Sequence, residues 1–125
     1  MADAANWPAF GAGFPDILEV RDTSGRVDIR LLAASDLEWF AGHFPGEPVL
    51  PGIIQTHWAA QLARAAFDIE SQPERIKRLK FRQVVVPPQE LELTLTREGP
   101  CEVQFVYSSD NGQHSQGRLV FPNGG

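Results

Sequence analysis

Between residues 43 and 61 the chain reads HFPGEPVLPGIIQTHWAAQ, with one imidazole at His43 and a second, His57, inside the apolar segment that follows. Imidazole exchanges protons near neutral pH, which makes both histidines candidates for general acid–base work. Pro45, Pro48 and Pro51 fix φ and remove backbone donors, so the loop between them is stiff. Gly46 and Gly52 let the backbone turn tightly and come close to a ligand. Gly52 also opens the apolar segment, where N–H groups at a helix start can hold negative charge on an oxygen. The combination suits a reaction in which a proton moves while charge builds on a neighbouring oxygen.

The elements that must position this stretch follow from periodicity. Residues 17–20 and 27–32 read as strands around the polar turn 22–25, and Ser35 is placed to cap a short helical turn through residue 40. A helix is expected over about 53–69. On a 3.6-residue period Ile54, Trp58, Leu62, Ala65 and Ile69 make an apolar stripe, and His57, Gln61, Arg64 and Asp68 a polar one beside it. Strands are expected at 76–86, 91–97, 102–108 and 114–121, with a hairpin at Asp110-Asn-Gly112. The aromatic residues Trp7, Phe10 and Phe14 predict a packed N-terminal segment. Two strands, one apolar helix and four consecutive strands predict an α+β domain, with the helix on the apolar face of an antiparallel sheet.

A chain of 125 residues with 42% hydrophobic content fits one domain over residues 1–125, and no apolar run approaches a membrane span. An acidic N-terminus without a basic region predicts no secretory signal. The single cysteine, Cys101, suits a reducing cytoplasm and reads as a small apolar residue. Net charge is −5, yet five of the eleven basic residues (Arg75, Lys77, Arg78, Lys80 and Arg82) lie together and every acid lies elsewhere. A basic island on an acidic chain argues against general nucleic-acid binding and suits a small acidic partner or a phosphate. Strand alternation predicts Arg78, Lys80 and Arg82 on one face, with Leu79 and Phe81 on the other. The alternative is a charged strand that keeps the chain soluble. No metal site is expected, since the histidines at 43, 57 and 114 lack ligand spacing.

The segments His43-Phe-Pro-Gly46, Pro48-Val-Leu-Pro-Gly52 and Ala59-Ala-Gln61, with a weaker echo in Lys80-Phe-Arg82, resemble the hotdog-fold β-hydroxyacyl-acyl carrier protein dehydratases. Within that family the chain looks closest to the small dehydratase-like proteins of aryl polyene pathways. The resemblance implies a hotdog fold, in which a curved antiparallel β-sheet wraps a long central helix. It further implies a cytoplasmic homodimer that dehydrates 3-hydroxyacyl thioesters on acyl carrier protein, without a cofactor. The family pattern places a catalytic histidine at position 43 and a carboxylate at position 57, where this chain has His57. His43 would then meet His57 of a second subunit.

That reaction needs a base for the α-proton, an acid for the departing hydroxyl and a donor for the thioester oxygen. His43 suits the first role and the Gly52 N–H the third. His57 is open to three readings: the acid, an orienter of water or substrate, or a sign that activity is lost and acyl binding remains. Phe44, Val49, Leu50, Gln61 and Phe81 are the expected acyl contacts, and Arg78, Lys80 and Arg82 the expected dock for the carrier. Trp58 reads as core, Glu47 as a solvated loop acid, and Gln61 with Arg64 equally as a polar seam between subunits. A non-catalytic partner subunit and, last, a hotdog thioesterase are the alternative functions.

Overall fold

The computed structural model describes residues 13–34 and 49–122. The elements run β1 (Asp16–Thr23), β2 (Arg26–Ala33), α1 (Gly52–Phe67), β3 (Arg75–Phe81), β4 (Gln89–Arg97), β5 (Glu102–Ser109) and β6 (Gly112–Val120). The strands form a six-stranded sheet in the order β1-β2-β4-β5-β6-β3, antiparallel at every pairing. This is the α+β hotdog architecture.

The pattern of the strands dictates which face the helix covers. Val27, Ile29 and Leu31 of β2, Leu91, Leu93 and Leu95 of β4, and Val103, Phe105 and Tyr107 of β5 alternate with polar residues and are buried. They form one core with Trp58, Ala59, Leu62 and Ala63 of α1. The small alanines let the helix lie close to the sheet, and Trp58 is fully buried, its indole N–H donating to Gly13 O at 2.8 Å. Phe14 packs against the same core. Trp7, Phe10 and the helical turn expected after Ser35 lie outside the described residues.

Helix α1 begins one residue earlier than its periodicity suggests and stops two residues sooner. Asp68 adopts left-handed backbone (φ 54°), and the N–H of Ile69 returns to Arg64 O at 3.0 Å. The third expected strand is also shorter. It ends at Phe81 because the N–H groups of Arg82 and Gln83 both turn to the carbonyl of His114, at 2.8 and 3.3 Å.

Strand β3 is an edge strand with a bulge. Lys77 pairs with Arg118 and Lys80 with Gln116, so Arg78 and Leu79 together stand opposite Gly117. Arg78 takes the left-handed conformation (φ 53°) that this requires. The bulge resets the alternation. Ile76 and Phe81 share the core face with their partners Leu119 and Ser115, and Leu79 approaches Gly117 beside Phe105 on that face. Lys77, Arg78 and Lys80 share the outer face with Arg118 and Gln116. Strict alternation would have turned Lys77 inward.

Candidate active site

Helix α1 starts without a side-chain cap: Pro51 precedes it, and the N–H groups of Ile54 and Gln55 bond to Pro51 O. Gly52 is its first residue because nothing larger fits. A Cβ there would lie 2.6 Å from the ring Cζ of Phe81. Both residues line an open slot of about 650 Å³. One wall is Val49 to Ile53 with Gln55; the other is Phe81, Arg82, Gln83 and Val84. The N–H of Leu50 donates to Val85 O at 2.9 Å and ties the walls together at the base.

A buried polar network holds the helix start against the sheet. Gln55 Nε2 donates to Leu50 O at 3.3 Å, and its Oε1 accepts from Ser115 Oγ at 2.7 Å. Tyr107 OH donates to Gln55 O at 2.7 Å, and burial pushes this phenol well above its ordinary pKa, so it stays a neutral donor. Sequence reasoning missed Gln55, Ser115 and Tyr107 as site supports. Gln55 did leave a signal, since it interrupts the apolar stripe that it shares with Ala59 and Leu62.

The structure gathers Val49, Leu50, Gly52 and Phe81 at the slot, and adds Arg82 to its wall. Arg78 and Lys80 lie on the outer face, and Arg78 opens onto a small polar groove with Gln104, Gln116 and Arg118. Gln61 stands nine residues beyond Gly52, about 13 Å along the helix axis. It bonds Gln72 Oε1 at 2.7 Å and receives Arg64 NH1 at 2.8 Å. His57 is exposed, with its ring 5.4 Å from that of Phe14, and lies outside the slot of its own chain. It shares a helix face with Ile53, which is 76% exposed. His43, Phe44 and Glu47 lie outside the described residues.

Lys77 and Arg118 both bind Glu102, at 2.6 and 3.3 Å, and the Lys77 hydrogen bond leads in holding that carboxyl below its usual range. Among the described residues no three His, Cys, Asp or Glu side chains are grouped to hold a metal ion. Among them too, no helix is long and apolar enough to cross a membrane.

Comparison with known proteins points the same way. The family model of the ApeI-like proteins, described as ApeI dehydratase, matches residues 19–118. The 3-hydroxyacyl-acyl-carrier-protein dehydratase FabZ of Legionella pneumophila (strain Corby) is 29% identical over 100 residues, covering 69% of this chain and 67% of the relative. Among solved structures, the dehydratase heterocomplex ApeI:P from Xenorhabdus doucetiae superposes with a TM-score of 0.78 at 28% identity, covering 85% of this chain and 96% of that one. An uncharacterized protein from Erwinia carotovora subsp. atroseptica matches with a TM-score of 0.74 at 31% identity, over 86% of this chain and 94% of its own.

Proposed function

We propose, from the premise that this chain belongs to the ApeI-like dehydratase family, that it dehydrates 3-hydroxyacyl thioesters on acyl carrier protein to trans-2-enoyl thioesters. The pathway is of fatty-acid or polyene type, and the working unit is a cytoplasmic homodimer of single hotdog domains. The observation that carries this reading is the apolar slot of about 650 Å³ between the start of α1 and the Phe81–Val84 wall, lined by Gly52 at the helix start.

His43 removes the α-proton while the Gly52 N–H and the helix start hold the negative charge on the thioester oxygen. The C–O bond at the β-carbon then breaks, and the hydroxyl leaves as water with a proton from His57 of the second subunit. Proton exchange with solvent resets both rings, and no cofactor is needed. His57 is exposed and does not line its own slot, which favours service to a partner's site. Ile76, Leu79, Phe81, Val84 and Val86 are exposed along the same region, and a second subunit would cover such apolar surface. Phe44, Val49, Leu50 and Phe81 contact the acyl chain, Gln61 braces the seam, and Arg78, Lys80 and Arg82 receive the carrier.

Turnover of a carrier-linked 3-hydroxyacyl thioester by the purified protein, abolished by His43→Ala, tests the proposal. His57→Ala should lower kcat by about 100-fold or more without changing Tm, because the ring is exposed. Absence of wild-type turnover on both carrier and coenzyme A substrates would refute it.

A second reading, a partner subunit in a two-protein dehydratase, is favoured by the imidazole at 57 and by the heterocomplex named for the Xenorhabdus neighbour. It requires activity to arise only when another hotdog subunit is added.

A further inference from the structure

The wall formed by residues 82–85 lies beyond the end of β3, outside the ladder of the described strands, and hangs from the β5–β6 hairpin. His114 is 1% exposed and serves this attachment with both ring nitrogens. Val84 O can only accept, so Nδ1 carries the proton and donates to it at 3.0 Å. In the neutral ring Nε2 accepts from Ser109 Oγ at 2.6 Å, and that hydroxyl accepts in turn from the N–H of Asn111 at 3.1 Å. The His114 carbonyl receives the N–H groups of Arg82 and Gln83. The Gln83 carboxamide completes the clamp, with Nε2 donating to Asn111 O at 2.8 Å and Gln113 O at 3.0 Å.

Neither His114 nor Ser109 borders the slot, so their bonds act on the acyl chain only through the wall they hold. The facing wall is joined to this one at Val85 O by the Leu50 N–H, and Leu50 in turn receives Gln55. The separation of the walls therefore depends on where the hairpin holds residues 82–84. We infer that His114 and Gln83 are positioning residues that fix the width of the slot and thereby select the acyl chain. The inference rests on the acyl slot of the proposed function, and it concerns binding rather than the proton transfers.

The test uses the full chain, with an S-alkyl pantetheine thioether as an unreactive probe. Gln83→Leu should weaken probe binding and raise KM about tenfold while kcat changes less than about threefold, and should speed exchange of the Leu50 amide about tenfold. Gln83→Lys, whose ammonium can donate to both hairpin carbonyls, should restore all three readouts. His114→Gln should widen the range of chain lengths accepted. Unchanged Leu50 exchange and probe affinity in Gln83→Leu would overturn the inference, as would a Lys variant no better than Leu. Failure of wild-type turnover would remove the dehydratase reading alone, because Leu50 exchange decides the clamp without chemistry.

Discussion

Gly52 and Phe81 meet so closely that a Cβ at position 52 would sit 2.6 Å from Cζ and 2.7 Å from Cε1 of the ring. The first residue of the helix and the last residue of the edge strand thus share one boundary of the slot. Gly52→Ala must swing the ring into that space. We expect about a tenfold or greater loss of kcat/KM and of probe affinity, recovered in part by adding Phe81→Leu. Alanine at 52 with full affinity would show that the ring yields freely.

Arg82 lines the slot, whereas Arg78 and Lys80 occupy the outer face of β3. Arg82→Glu should raise KM for carrier-linked substrate about tenfold and leave short pantetheine thioesters within about twofold, with the contrast fading at high salt. Equal effects on both substrates would assign Arg82 to the acyl chain instead of the carrier.

Tyr107 bonds the helix from the centre of the sheet, and its buried phenol titrates well above the ordinary value. A group of this kind contributes stability that is complete below the unfolded pKa near 10 and is lost as pH rises past it toward the folded value. Urea midpoints should therefore fall above about pH 10 in the wild type. Tyr107→Phe should cost about 1 kcal/mol at neutral pH and show a smaller alkaline loss.

Arg78 holds φ at 53° without being glycine. Arg78→Gly should stabilise the fold by about 0.5–1 kcal/mol, measured by urea unfolding, despite removing a long side chain. A destabilised variant would mean that the Arg78 side chain makes contacts worth more than the strain.

Much of this fold was written in periodicity. The alternation through Val27, Ile29 and Leu31 and through Leu91, Leu93 and Leu95 fixed the buried face, and Asp110-Asn-Gly112 marked the hairpin. The slot residues Val49, Leu50 and Gly52 stood out because prolines and glycines cluster where a backbone is held to an unusual path. What stayed hidden depends on partners distant in sequence. Ser115 reaches Gln55 across 60 positions, and His114 reaches Val84 across 30. The β-branched run at 84–86 reads as strand, but it has no ladder partner among the described residues, since the preceding N–H groups turn to a single carbonyl. The bulge was equally invisible, since two residues facing one is a property of the pair of strands.

That bulge also governs how the sheet can grow. A straight, unbroken border of free N–H and C=O groups would template copy after copy into a fibre. Here the ladder from the edge strand to β6 breaks after Lys77 and resumes at Lys80, which bends the strand, with cationic side chains along its outer face. A bulged, cationic edge of this kind disfavours open-ended strand addition along this margin.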